Sequence, residues 1–575
     1  MKKTLLFNIL LFGVVCNLNG QLVPCTDGMA GDYPCENVDL LAHLPIAEIG
    51  GITGAKANDI WGWTDADSGR EFAIIGLTTG TSFVEITDPI NPIYLGFLPT
   101  HSFNSSWRDM KTYDNKVYVV SEAGGHGIQV FDLTRLLNVV SPPVTFTEDD
   151  HHNSLGGSAH NIVGFPEIGY MILVGSGYNG CGNGFDLYSV SDNQIYYESC
   201  YGASGSSYTH DGMCFIYKGP DSAYVGREIC IGSNGNRGGI STQVIIDITE
   251  KDAIQEISNT TYPNQRYSHQ SWVTDDHRYI IFNDELDELD FSSISNTRTH
   301  MMDISDLDNP QYIGYYEHDV PTIDHNSYVQ GQYIYESNYE SGLRVLDLTN
   351  IQDSSLNLAA YFDTYIANSN SRHFNGAWSN YPFFESGTVA VSDIQGGLFL
   401  LRPNLPHFII DVDENQNEIC PSTSSITLPV STKSMHGFSG MIDLNLNNTP
   451  LGINFSLRQS SFMAGNSTEL TIQNISAPPG NYSVLLSGEA QGSLNNHDLA
   501  IYFKISQVSD FLSISDLNVS QDMVFRAHQS ISLSNISIDS TARLEIIAPN
   551  LSLEGNVVLH GPGKLITTGQ DGCNE

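Results

Sequence analysis

The sequence predicts an all-β protein: a seven-bladed β-propeller, then an immunoglobulin-like β-sandwich, then a small C-terminal stacked-β or solenoid-like module. Three observations carry this. A short motif returns at steps of 50, 52, 50, 59, 56 and 48 residues. Each copy is followed by short runs rich in Val, Ile and Tyr, bounded by Gly, Asn and Asp, which is the pattern of strands and turns. No 11-residue window sustains a helical period. A fixed period in this range, with about four short strands per repeat, is the signature of propeller blades.

The N-terminus comes first. Lys2 and Lys3 precede an apolar run over 4–15 and a small residue, Gly20. This predicts a secretory signal peptide over 1–20, cleaved after Gly20. Cys16 follows Val15 rather than a small residue, which argues against a lipidation site. No other apolar run approaches the roughly 20 residues that span a bilayer.

Residues 21–403 hold the repeats. The copies read Asn58-Asp59, Arg108-Asp109, His160-Asn161, His210-Asp211, His269-Gln270, His325-Asn326 and His373-Phe374. Five of the seven carry histidine. Many third strands end in an acidic tag such as Asp88-Pro89 or Asp303, and Asn91-Pro92 and Asn309-Pro310 lead into outer strands. Proline presets φ there and keeps the preceding residue extended. The last repeat supplies only three strands. The segment 39–46 is expected to pair with 397–401 as the fourth and close the ring, leaving no open edge.

Residues 404–418 read as a linker. Residues 419–510 alternate apolar and polar in seven or so short strands, and Pro478-Pro479-Gly480-Asn481-Tyr482 suits the corner of an immunoglobulin-like sandwich. Residues 511–575 hold strands of three to four residues at near-even spacing, which suggests a stack.

The phrase Glu85-Ile86-Thr87-Asp88-Pro89, with Tyr94-Leu95-Gly96 after it, resembles the LVIVD repeat. The opening Cys25, Cys35 and Val38-Asp39-Leu40 is similar to the start of the choice-of-anchor B family of secreted proteins, and the likeness runs from Cys25 to about Pro403. The resemblance implies a secreted β-propeller with a variable C-terminal attachment device. It implies no particular reaction.

Cysteine usage agrees with export. Nine cysteines less Cys16 leave eight, and an exported chain can hold disulfides. The repeat register pairs Cys25 with Cys35, Cys181 with Cys200 and Cys214 with Cys230. Cys420 and Cys573 are left without an assigned partner. No CxxC spacing supports structural zinc.

The net charge is −41, from 24 basic and 65 acidic residues. That excludes a nucleic-acid or anionic-membrane partner, since both need basic patches. The bland reading is a solvated acidic surface. Bound calcium is also compatible, because it takes oxygen ligands.

The site follows from topology. Equivalent repeat positions are related by rotation about one axis, so the strand starts meet at one face. The second-to-third turns return to that face and carry Glu122, Asp284, Glu336 and Asp393. The candidate ligand-binding set is therefore Asp59, Arg108, Asp109, His160, His210, Asp211, His269, His325 and His373 with those four carboxylates. Mixed His and Asp/Glu around a pocket suits transition-metal binding, acid–base chemistry or polar ligand recognition. Seven positions are too wide for one ion, so only a subset of His160, His210, His269, His325 and His373 could share a transition metal at the mouth, with calcium as the other candidate ion. The competing reading is that these polar residues only space the blades. No Gly-x-Ser-x-Gly or P-loop is present. The five tryptophans read first as core packing, with stacking on sugars as the functional alternative. The sequence thus predicts a secreted or cell-surface binding module for an extracellular protein or glycan. A metal-dependent or His/Asp acid–base hydrolase or lyase acting on an extracellular polymer is the alternative.

Overall fold

A computed structural model describes residues 22–153, 157–176, 181–191, 194–203, 208–367, 370–412, 418–419, 425–492, 495–505, 511–520, 523–527, 530–540, 542–548, 550–559 and 564–568. The expected signal peptide, Cys420 and Cys573 lie outside these residues. The fold is nearly all β. No helix among the described residues is long and apolar enough to cross a membrane.

Seven antiparallel sheets follow one another along the chain. Their first strands are Ala57–Thr64, Arg108–Tyr113, Asn161–Phe165, Tyr208–Ile216, Ser268–Val273, Asn326–Gln330 and Ala377–Tyr381. Each first strand touches the first strand of the next sheet, and the seventh touches the first. The result is a propeller-like ring around one axis. Apolar clusters fill the gaps between neighbouring sheets. Phe83, Met110 and Phe131 join the first two, and Tyr279, Ile334 and Leu346 join the fifth and sixth. The inner strands are apolar on both faces because both faces pack against neighbouring sheets.

The ring closes through the N-terminus. Val38–Leu44 pairs antiparallel with Gly397–Pro403 and completes the seventh sheet. Expectation and structure agree on that pairing. Three disulfides occur as the repeat register places them: Cys25–Cys35, Cys181–Cys200 and Cys214–Cys230, with Cα separations of 6.0, 5.9 and 4.1 Å. Cys214 and Cys230 are directly opposite on adjacent strands.

The segment read as a linker is not one throughout. His407–Val412 is a strand that pairs with Ser425–Met435. It joins because Phe408, Ile410 and Val412 alternate into the core of a second unit, beside Val430, Ile442, Leu470, Val484 and Phe503. Two sheets enclose that core. The unit contacts the ring: His497 Nε2 donates to Asp275 Oδ2 at 2.8 Å, and the Asn496 amide donates to Gln332 Oε1 at 2.9 Å. The tautomer is fixed because His497 Nδ1 accepts the Ile410 amide at 2.8 Å.

The last strands are parallel. Phe511–Ser515, Ser530–Ile538 and Asn550–Leu559 form one sheet, and Met523–Arg526, Arg543–Ile547 and Lys564–Thr568 form another. Ile531, Leu533, Ile538, Leu544 and Ile546 fill the space between them.

Candidate functional site

Local register sets the mouth of the ring. The first and second strands slip register between Thr209 and Asp211 and between Ser268 and Ser271. Such an irregularity re-aims the side chain within it, and His210 and His269 lie in these steps. His160 and His325 stand one residue before their strands begin. All four histidines reach one cavity of about 380 Å³ at one end of the axis.

The four imidazoles form an arc. Ring centroids are 4.2 Å apart for His160 and His210, 4.0 Å for His210 and His269, and 4.2 Å for His269 and His325. Glycine makes room for this. Gly175 sits at φ +65°, and a Cβ there would stand 2.5 Å from the His160 Cβ. The Nδ1 atoms turn outward. His210 Nδ1 donates to the His269 carbonyl at 2.9 Å, and His325 Nδ1 donates to the Trp378 carbonyl at 2.5 Å. His160 Nδ1 lies 2.6 Å from Glu122 Oε1. His269 Nδ1 has no partner within hydrogen-bond geometry, although the nearby His325 backbone favours its charged form. These bonds fix the tautomer, so the Nε2 lone pairs of His210 and His325 are free for the cavity.

Burial disfavours the charged form of three of these rings. It holds His210 and His269 well below the ordinary histidine range, helped by the neighbouring imidazoles, and lowers His325 to about 3. Burial also raises Glu285 to about 7, against an opposing hydrogen bond from the Tyr339 hydroxyl at 2.6 Å. Glu285 Oε2 lies 4.0 Å from His269 Nε2, and Oε1 lies 3.8 Å from His325 Nε2.

Below the arc is a charged layer. Lys111 Nζ lies 2.7 Å from Asp109 Oδ1 and 4.5 Å over the Trp61 ring. Burial disfavours its charge, but Asp109, Asp59 and Asp211 together raise it above the ordinary lysine value. Burial raises Asp59 to about 7, with Asp109 adding to the effect, and it raises Asp211 well above the carboxylate range. Trp61, Trp272, Tyr328, Tyr381 and Phe383 cluster at the far ends of the first strands.

Several expected site residues stand elsewhere. His373 lies in the loop before the seventh first strand, its side chain 64% exposed and 3.4 Å from Glu340. Trp378 occupies the repeat position instead, because that strand begins only at Ala377. Asp284 accepts the Arg266 and Tyr267 amides and the Tyr262 hydroxyl, and so fixes a loop. Asp393 accepts the Gln395 and Gly396 amides in its own turn. Glu336 is buried against Thr299 and His318. Strand alternation explains the first two. Asp284 and Asp393 are the last residues of their strands, and the next residue points the other way. That next residue is Glu285 in one case, and Glu122 holds the equivalent place after Ser121. Arg108 also turns away from the cavity, bonding His126 Nε2 at 2.9 Å and Thr100 Oγ1 at 2.8 Å. Asp59, Asp109 and Asp211 lie in the layer beneath, not at the mouth.

The rim was not legible as a unit. Trp107 and Phe374 are each 46% exposed there, with Tyr339, Trp378 and Lys56 completing the wall. A charged strand-end rule would have found Glu285. Nothing in the sequence marked Phe374, which reaches the mouth from the same loop that carries His373 away.

No family model matches the chain, and no curated protein matches it. Solved structures give distant likenesses. A Lactobacillus plantarum protein is 11% identical with a TM-score of 0.35, over 77% of this chain and 99% of that one. A Bacteroides thetaiotaomicron protein of unknown function is 9% identical with a TM-score of 0.32, over 64% and 94%. A variant of Synechocystis apocarotenoid oxygenase is 9% identical with a TM-score of 0.25, over 82% and 93%. At these TM-scores the likenesses assign no chemistry to this chain.

Proposed function

We propose that this chain is a secreted or cell-surface binding module. In this reading residues 21–403 are a seven-bladed propeller of the LVIVD type, as in the choice-of-anchor B family. An immunoglobulin-like sandwich and a stacked module follow. The cycle of first-strand contacts and the closing strand support seven blades. Tyr482 supports the sandwich: its hydroxyl donates to the Pro478 carbonyl at 2.7 Å, the bond expected of a tyrosine corner. Three disulfides fit an oxidising compartment.

One observation carries the binding role. The mouth cavity, about 380 Å³, pairs half-exposed Trp107 and Phe374 with a floor of imidazoles. Ligand pockets of this size join apolar walls to a few placed polar groups. Exposed rings beside each other gain nothing from water, and they suit the flat faces of sugars or the side chains of a docked protein loop. An extracellular glycan fits the aromatic rim best.

Titration of the tag-free secreted chain against a panel of neutral and acidic oligosaccharides tests this. At least one should bind, and Trp107→Ala should weaken it tenfold or more. Equal binding by the variant, or no binding across the panel, rejects the reading.

A further inference from the structure

We infer that the floor of this cavity is a binding site for one divalent first-row transition-metal ion, held by His269, His325 and Glu285 with His210 beside them. The inference deepens the reading of the mouth as a binding site and rests on it.

The donor atoms converge. One ligand atom each from His269, Glu285 and His325 lies within 4.8 Å of the others. Glu285 faces the two Nε2 atoms at 4.0 and 3.8 Å. These gaps are too long for hydrogen bonds, which close at about 2.7–3.2 Å. Two ligands at about 2.0–2.1 Å from one ion stand about 3.0–3.4 Å apart, so a shift of about half an ångström per side chain seats the ion. The three side chains are not spent on each other.

His325, and His210 beside it, have the outer contact a ligating histidine uses, while His269 Nδ1 has none within hydrogen-bond geometry. A ligating histidine donates its other ring N–H to a carbonyl or carboxylate, which orients the ring. His210 and His325 donate Nδ1–H to the His269 and Trp378 carbonyls. Tyr339 orients Glu285 through its hydroxyl. A blade-spacing role needs only one bonded nitrogen and leaves the second without purpose. Here the second nitrogens meet a carboxylate in a cavity.

The donor set selects the metal class. Imidazole nitrogens with one carboxylate suit zinc, iron(II), copper(II) or nickel, whereas calcium and magnesium take oxygen ligands. The cavity leaves a side of the site open, so an exogenous ligand entering past Trp107 and Phe374 reaches the ion.

The test uses the tag-free secreted chain, stripped with a chelator and reloaded separately with Zn2+, Cu2+, Fe2+ (anaerobically) and Ca2+. We expect one transition-metal ion per chain by elemental analysis, and nitrogen neighbours at about 2.0–2.1 Å by X-ray absorption. Glu285→Gln, which keeps size and shape, should lower affinity at least tenfold. The double variant His269→Ala/His325→Ala should bind no ion, and His373→Ala should bind as the parent does. Circular dichroism checks that each variant is folded. No uptake by the parent, uptake of calcium alone, or retention of the ion by folded Glu285→Gln and double variants overturns the inference. Because the ion is titrated without a glycan, the two readings fail separately. Glycan binding by a parent that takes up no transition metal on reloading leaves the pocket and removes the ion. Metal binding with no glycan ligand does the reverse.

Discussion

Sheets three to six present His160, His210, His269 and His325 at the channel mouth. Sheets one, two and seven present Asn58, Arg108 and Trp378 at the same repeat position. The second arc is bound to its surroundings. Asn58 donates to the Ser106 carbonyl at 3.1 Å, Arg108 reaches Leu77, Thr100 and His126, and Trp378 packs on His325 with ring centroids 4.9 Å apart. The histidine arc makes one outward bond per ring at most and keeps its inner nitrogens for the cavity. The repeat fixes the backbone position in all seven sheets, and side-chain chemistry then divides the ring. One arc holds the structure and contains its seam, and only its Trp378 also lines the cavity wall. The other faces the pocket.

The seam gives the largest expected effect. The seventh sheet is completed by Val38–Leu44, some 350 residues away in sequence from its partner strand. Leu40, Leu41 and Leu44 are buried against the neighbouring sheets. Deleting 22–47 removes that strand, the Cys25–Cys35 loop and several fully buried side chains worth about 1.5–3 kcal/mol each. Since a whole domain is stable by only about 5–15 kcal/mol, the truncated chain should fail to fold, with no cooperative melting transition by circular dichroism. A truncated chain that melts with the parent would mean that the ring does not depend on its seam, and the contrast between arcs would lose its structural half.

Much of this ring was legible in the sequence, and the reasons are local. Strand starts were visible because each follows a polar motif and precedes an apolar run, so His160, His210, His269 and His325 could be aligned by counting. The seventh copy was misplaced because the loop before it is long, and counting forward stopped at His373 rather than Trp378. Sequence position points to Asp284 and not to Glu285 because the two carboxylates are adjacent, and only the end of the strand decides which faces the axis. The register slips at His210 and His269 depend on pairing across strands and leave no mark in one segment alone. Likewise 407–412 looked like a connector until a partner strand was found for it.

A smaller effect sharpens the comparison within the structural arc. Asp59 is fully buried in the layer below the histidines, and burial raises its carboxyl from 3.8 to about 7, with Asp109 adding to the shift. A carboxyl raised in the folded state binds more protons there than in the unfolded chain. Between about pH 4 and 7 its contribution to stability therefore falls as pH rises, and it is flat above that. Asp59→Asn removes the titration. The variant's stability minus the parent's should rise with pH across this window, by about 2 kcal/mol or more. Urea unfolding at pH 5, 6, 7 and 8 measures it. A difference that is constant with pH would mean that Lys111 keeps Asp59 ionised throughout, and the layer would be a plain buried ion pair.

The smallest expected effect decides what the histidine arc is for. If the imidazoles space the sheets, removing two of them should loosen the ring. The contacts argue otherwise. His325 makes one outward bond, to the Trp378 carbonyl, and His269 Nδ1 has no partner within hydrogen-bond geometry. A single buried hydrogen bond contributes about 1 kcal/mol net, and the carbonyl it leaves borders an open cavity where water can replace the donor. The rings lie tilted against their neighbours, centroids 4.0 and 4.2 Å apart, beside the cavity, so truncation lengthens a cavity that already exists rather than opening a new one in a close-packed core. The metal-free double variant His269→Ala/His325→Ala should therefore lose only about 2 kcal/mol at pH 7.5, far less than the seam deletion, with an unchanged denaturant slope. A loss above about 4 kcal/mol would place these histidines with Asn58 and Arg108 as spacers, and the ring would then have one kind of arc rather than two.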